Sequence, residues 1–371
     1  MHLDNMEDNP SEGKNKKLFF TKELMHWEGH KKRLMPWKYE KDPYKIWLSE
    51  IILQQTRVEQ GKSYYNKFIS NYPDVDSLAN TPIDNVLKDW EGLGYYSRAK
   101  NLHTAANQIV KEYNSNFPDN FEDILKLKGV GTYTASAISS FAFNIPKAVL
   151  DGNVIRILAR YFGIGEPYNK ASTKRNFQKL ADELIDMSNP AKYNQLIMDY
   201  GALICKPTSP DCENCVLQPK CFAFQNDNIK KYPVKIAKAQ KKKRYFYYFI
   251  IENGEEIVLN KRSEKDVWSG LYDFPHVEYE TEQNVEKACE DFFTIQKLEN
   301  ISMKDTKRAI FNYKQTLSHQ FIFSFFIRIN ELQPQELYPN YHVVKKNILK
   351  KMPFPKTIAW YFKKCYLTLI L

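Results

Sequence analysis

Four cysteines, Cys205, Cys212, Cys215 and Cys221, fall within seventeen residues, while Cys289 and Cys365 stand alone. Such crowding restricts the fold, because in a reducing compartment four neighbouring thiols make a metal site more readily than a disulfide framework. Two kinds of centre suit four thiolates, a tetrahedral zinc and an iron–sulfur cluster. Zinc sites usually show two close Cys pairs, whereas the run C-x6-C-x2-C-x5-C has one, with loose outer spacings. The spacing leans toward iron–sulfur and leaves zinc open.

Around that run the texture is helical. Stretches such as PIDNVLKDWEGLG (82–94), NVIRILARYFG (153–163) and TKRNFQKLADELIDM (173–187) carry apolar residues at helical spacing and end at Gly, Asn or Pro. The start, MHLDNMEDNPSEGKNKK, is polar, lacks the apolar core of a secretory signal, and reads as a disordered tail over 1–18. A helical domain is expected over 19–226, then a basic linker over 227–243. Residues 230–244 hold eight basic residues and no acidic one, which suits either a solvated charge run or a nucleic-acid backbone contact. From 244 to 371 the pattern changes to an α/β domain. RYFYYFIIE and EEIVLN flank Asn253-Gly254, a type I′ hairpin signal, and QFIFSFFIRI is a further strand. The longest apolar runs are too short to span a bilayer, so a cytoplasmic protein is expected. Lys and Arg exceed Asp and Glu by 54 to 44, a balance that favours a polyanionic partner.

Two further features carry chemistry. LKGVGTYTA (127–135) places two glycines between helical stretches, a hairpin in which Gly129, Val130 and Gly131 can offer backbone N–H groups to a phosphate; a plain turn between packed helices is the bland alternative. WLSEIILQQT (47–56) sets Glu50 among apolar neighbours, with no Lys or Arg three or four places away. Desolvation there would raise its pKa and let it keep a proton near neutrality. Asp151, in LDGNV where a helix begins, is suited to be an N-cap, and equally to be an ionised second carboxylate. Cleaving a glycosidic bond needs such a pair, an acid for the leaving group and a carboxylate facing the sugar cation.

The stretch 34–226 resembles the helix-hairpin-helix DNA glycosylases, and within them the MutY-type adenine DNA glycosylases. The resemblance rests on MPWK (35–38), WLSEIILQQTRV (47–58), GLGYYSRAKNL (92–102), LKGVGTYTA, LDGNVIRILAR (150–160), NQLIMDYGALIC (194–205) and the cysteine run, in that order. It implies a mainly α N-terminal catalytic domain of two helical subdomains with a [4Fe–4S] loop over 205–221, and a C-terminal α/β Nudix-like domain. It implies release of adenine mispaired with 8-oxoguanine or guanine in double-stranded DNA, by a monomer. Glu50 then matches the acid that protonates adenine N7, and Asp151 the carboxylate that stabilises the sugar cation, with Tyr133 and Asn153 lining the active site. Trp37, Lys38, Leu53, Gln195 and Met198 match the adenine pocket, and Gln54, Gln55 and Tyr95 the wedge beside the opened base pair. The four cysteines match the cluster ligands.

Position 133 separates two chemistries. Endonuclease III-type glycosylase/lyases carry a Schiff-base lysine there; Tyr133 cannot form that imine, so a monofunctional glycosylase is expected. WSGLYDFP (268–275) is similar to a segment of the family's Nudix-like domain, and HVEYETEQNVEKACEDFF (276–293) lacks a metal box for pyrophosphohydrolysis. The family reads 8-oxoguanine with a Phe-Ser-His loop. The matching residues here are Leu317, Ser318 and His319, which keep the serine hydrogen bond and lose the aromatic contact. A non-catalytic iron–sulfur DNA-binding protein would keep the hairpin, the cysteines and the linker, yet would have no use for Glu50 with Asp151.

Overall fold

The computed structural model describes residues 10–27, 35–236, 240–263, 266–298, 311–329, 332–333, 337 and 341–366. The chain divides into two units, one from residues up to Ala79 with Thr104–Lys238, the other from Asn80–His103 with the chain after Ala239.

The first unit is helical. Helix Pro43–Leu53 starts at Asp42, whose side chain accepts from the Tyr44 N–H at 2.9 Å, with Pro43 in the first turn where a missing N–H costs nothing. Helices Phe121–Lys126 and Thr132–Phe143 flank the hairpin, with Gly129 at φ 79°. Helix Gly152–Phe162 is capped by Asp151 and stops at Gly163, in the left-handed region at φ 74°. A Cβ at Gly163 would lie 2.5 Å from the Phe222 ring, so glycine is needed there for contact as well as for backbone. Helix Pro190–Leu203 packs on Gly152–Phe162 through Gly201, where a Cβ would come within 2.6 Å of Asn153 Cβ.

Residues 10–18, expected as part of a disordered tail, instead begin the helix Pro10–His26. Phe20 and Leu24 are fully buried in the core of this unit, with Phe20 set edge-on against Tyr161 at 4.9 Å. Thr21 Oγ1 donates to Leu184 O at 2.7 Å. The polar lysines and asparagine of this stretch cover only the outer face, which hid a short apolar stripe that begins at its end. Residues 1–9 lie outside the described residues.

The second unit is a mixed sheet of β1 (Lys242–Asn253), β2 (Glu256–Lys261), β3 (Tyr272–Asp273), β4 (His276–Tyr279), β5 (Phe311–Thr316), β6 (Gln320–Ile329) and β7 (His342–Lys345). The order is β3-β2-β1-β6-β5, with β4 on β1 and β7 on β2. β1 and β6 run parallel, from Lys242 beside Gln320 to Ile251 beside Ile329. Phe249 stacks on Phe292 of helix Val285–Gln296 at 4.0 Å. Phe326, beside β1 residue Tyr248, stacks on Tyr361 of helix Lys356–Cys365 at 4.6 Å. Residues 245–251 are therefore buried whichever face they point to, which explains the continuous aromatic run. β1 begins inside the expected linker. Its turn also sits one residue later than expected: Asn253 pairs with Glu256, and of the two loop residues only Gly254 has positive φ, so the turn is not type I′. Residues 80–103 complete this unit, Lys261 and the Tyr272 hydroxyl both reaching Asp84 at 3.0 Å.

Candidate active site

A cavity of about 1060 Å³ opens in the helical unit and gathers residues from four separate stretches of sequence. Helix Pro43–Leu53 brings Glu50 and Leu53, with Gln54 and Gln55 just beyond its end. The hairpin and the helix after it bring Gly129, Gly131 and Tyr133; the cap of Gly152–Phe162 brings Asp151 and Asn153; helix Pro190–Leu203 brings Gln195 and Met198. Trp37 completes the wall, its ring edge-on to Tyr65 at 5.3 Å. Among the residues singled out from sequence, these are the ones the fold brings together.

The two carboxyls have different surroundings. Glu50 keeps a part-exposed side, as a group lining a cavity must, while its carboxyl is enclosed by protein atoms. That enclosure pushes its pKa up to about 7, helped by the negative charge of Asp151 and opposed by a hydrogen bond from Tyr133. The Tyr133 hydroxyl also lies 3.6 Å from Met198 Sδ. Burial pushes Asp151 upward as well, but donors surround it. Its Oδ1 accepts from the Asn153 and Val154 N–H groups at 2.8 Å each, and its Oδ2 from Asn153 Nδ2 at 2.8 Å. Three donors and a helix N-terminus counter the burial at Asp151 and favour its charged form, whereas at Glu50 burial is opposed only by the Tyr133 hydrogen bond. The structure places Asp151 as the N-cap of helix Gly152–Phe162, at the wall of the cavity that Glu50 also lines.

Arg156 and Asn194 went unnoticed in the sequence. Arg156 Nη2 donates to Asn153 Oδ1 at 2.9 Å and to Gly201 O at 2.6 Å, and its Nε to Cys205 O at 2.7 Å. It thereby ties the Asp151 cap to the cysteine loop. Fully buried Asn194 donates to Ser140 Oγ at 2.9 Å and Lys147 O at 2.8 Å, and accepts from the Val149 N–H at 3.1 Å, fixing the segment that leads to Asp151. The sequence signal for Arg156 was one of two arginines, four residues apart, on a largely apolar helix; Asn194 gave none beyond lying inside a family motif.

Other residues fall elsewhere. Lys38 stands behind the cavity wall, its Nζ 3.0 Å from Asp199 Oδ2 in a buried ion pair, so its charge is engaged by protein. The Val130 side chain is buried and its N–H donates to Leu127 O at 3.0 Å, closing the hairpin; it offers no outward amide. Tyr95, Leu317, Ser318 and His319 belong to the second unit, where the Tyr95 hydroxyl hydrogen-bonds Ser318 Oγ. Leu317 and Ser318 form the turn between β5 and β6, with the Leu317 N–H donating to Gln320 O at 2.9 Å and Leu317 O accepting from Lys241 Nζ at 2.8 Å.

Two arginines one turn apart, Arg156 and Arg160, anchor the start of the cysteine loop at Cys205. Arg160 Nη1 lies 3.4 Å from Cys205 Sγ and donates to Lys206 O at 2.8 Å, while Tyr200 donates to Cys215 Sγ at 2.9 Å. Burial raises the thiol pKa values of Cys212, Cys215 and Cys221, the last to about 11, and the charges of neighbouring cysteines add to it. Four sulfurs are, by donor chemistry, the ligand set of an iron–sulfur cluster or a zinc ion, but as placed here they do not converge on one point. Among the described residues, no group of three or more His, Cys, Asp and Glu side chains could hold a single metal ion. No helix among them is long and apolar enough to cross a membrane.

Comparison with known proteins agrees with this architecture. Residues 48–183 match the HhH-GPD superfamily of base excision DNA repair proteins, and residues 247–364 the NUDIX domain. An adenine DNA glycosylase of Buchnera aphidicola is 38% identical over 261 residues, 70% of this chain and 74% of that protein. One from Arabidopsis thaliana is 34% identical over 312 residues, 73% of this chain and 49% of that protein. The solved structure of a thermostable thymine-DNA glycosylase superposes with a TM-score of 0.54 at 30% identity, covering 58% of this chain and 99% of that one. With a relative this similar across most of both chains, and with carboxyl pair, hairpin and cysteine loop assembled in the matching segment, the chain belongs to the adenine DNA glycosylases of base-excision repair.

Proposed function

We propose that the protein is a monofunctional glycosylase that hydrolyses the N-glycosidic bond of adenine opposite guanine or 8-oxoguanine in duplex DNA, acting as a monomer. The observation that carries this reading is the Glu50–Asp151 pair, two carboxyls in one cavity, one enclosed by burial and the other ringed by three hydrogen-bond donors. The target base must leave the stack, at a cost of a few kcal/mol, to reach them. Protonated Glu50 gives its proton to adenine N7. The N9–C1′ bond then breaks with its electron pair going to the purine. Asp151, ionised and held by Asn153 and two backbone N–H groups, faces the cationic sugar. Water adds to C1′ and its proton passes to the Glu50 carboxylate, leaving free adenine and an abasic site. Tyr133 offers no amine for an imine, so strand cleavage does not follow.

Cys205, Cys212, Cys215 and Cys221 would hold a [4Fe–4S] cluster, with the Arg156 and Arg160 guanidiniums bracing the loop beside its negative charge. When bound, such a cluster supplies structural support and redox capacity. Reading of the opposite base falls to Ser318 and His319, with Leu317 weakening stacking. A duplex with adenine opposite 8-oxoguanine tests the proposal. Adenine-strand cleavage should appear only after alkali, and borohydride should trap no covalent complex. Tight binding without adenine release, or efficient trapping, would sink it.

A further inference from the structure

Behind the cavity wall lies a polar group that the glycosidic step does not use. Asp199 is fully buried and shares one carboxylate oxygen, Oδ2, between Lys38 Nζ and Gln195 Nε2, each at 3.0 Å. The Lys38–Asp199 pair is almost entirely withdrawn from solvent, at 2% and 0% side-chain exposure. Gln195 and Asp199 are four residues apart on helix Pro190–Leu203, hence on one face, with Gln195 nearer the cavity it helps to line.

A glutamine amide ordinarily has two orientations that exchange its donor and acceptor ends. Here the chemistry leaves one. An ion-paired carboxylate has only lone pairs to offer, so the amide must turn its Nε2 donor toward Asp199. The other orientation would set Oε1 against Oδ2, both buried and both acceptors. The polar atom left to Gln195 is Oε1, which accepts from no protein donor among the described residues.

We infer that Asp199, fixed by Lys38, is a positioning residue that locks the Gln195 amide with its carbonyl oxygen as a standing acceptor, so that the cavity selects a six-amino purine over a six-oxo purine. The inference rests on the reading that adenine enters this cavity. Adenine carries an N–H donor at C6, which meets the fixed acceptor. Hypoxanthine and guanine carry oxygen there, and two unpaired acceptors would face each other. Unlike a pocket that discriminates by shape, a site built to pair with a substrate N–H rejects an analogue that lacks it.

The test measures single-turnover release of adenine and of hypoxanthine, each opposite guanine, by the full-length protein. Asp199→Asn is combined with Lys38→Met so that no buried ammonium is left unpaired; the asparagine amide permits either orientation of Gln195. The adenine-to-hypoxanthine rate ratio should narrow by about tenfold to a hundredfold. Gln195→Leu, which leaves the ion pair intact, should narrow it similarly. Leaving-group differences between the two bases cancel, because the same substrates are compared between proteins. A uniform loss of rate on both substrates, with the ratio unchanged, overturns the inference. A readout without substrate keeps it separate from the glycosylase reading. In protein labelled with [15N]glutamine, the Gln195 side-chain N–H protons should exchange slowly, and Asp199→Asn with Lys38→Met should speed their exchange. Fast exchange in the unaltered protein overturns the lock, whereas absence of adenine release with slow exchange counts against the proposed activity alone.

Discussion

Replacing Glu50 with Gln tests the buried acid in stability and in rate at once. The folded protein holds the Glu50 proton up to a pKa of about 7, against 4.5 for an ordinary glutamate. The sign follows directly. Below the unfolded value both states are protonated, and the favourable contribution of the buried neutral acid is fully present. Between pH 4.5 and 7 the unfolded chain ionises first, so that contribution falls as pH rises, and it is lost above about 7. Each pH unit in that window is worth about 1.4 kcal/mol, so the total is on the order of 3 kcal/mol. Glutamine does not titrate. The unfolding free energy of Glu50→Gln minus that of the unaltered protein should therefore grow by roughly 3 kcal/mol from pH 4.5 to 7.5 and then level off. For a helical unit of this size that is a relative rise in Tm of roughly 6–12 °C. Thermal unfolding of both proteins across the range measures it, and the subtraction cancels every other titrating group. The same variant should bind mispaired duplex yet lose about 10²- to 10⁴-fold in adenine release, the usual share of a general acid. The unaltered enzyme's release rate should fall about tenfold per pH unit above 7, as the proton leaves Glu50. A pH-independent stability difference, or normal turnover by the variant, refutes the reasoning.

Further outcomes follow from the same geometry. Arg156→Met should destabilise by about 3 kcal/mol in denaturant unfolding, because it orphans Cys205 O, Gly201 O and Asn153 Oδ1. It should also slow base release, since Asn153 is then free to leave Asp151. Gly201→Ala drives a methyl to within 2.6 Å of Asn153 Cβ and should cost about 1–3 kcal/mol, read as a lowered Tm. Cys215→Ser should lower iron content and visible absorbance together; a preparation that binds one zinc and no iron would contradict the cluster.

Much of the molecule is legible along the chain. Binary pattern and stop signals marked the helices, and Gly129 and Gly131 marked the hairpin. Glu50 stood out because a carboxylate without a cation at helical spacing must be either exposed or perturbed. These are local statements, settled within a turn or two of chain. Misreadings came where distant residues decided. Residues 10–18 look like a polar tail until Phe20 and Leu24, just beyond them, find a core built from residues 137–217. Lys38 reads as a substrate contact until Asp199, 161 residues later, takes its charge. Val130 reads as a phosphate amide until the turn closes on Leu127. The proton on Glu50 was the finest case. Its apolar neighbours gave the direction of the shift, but only the tertiary structure set Asp151 and Tyr133 around it, because charge–charge and hydrogen-bond terms depend on distance in space and not along the chain.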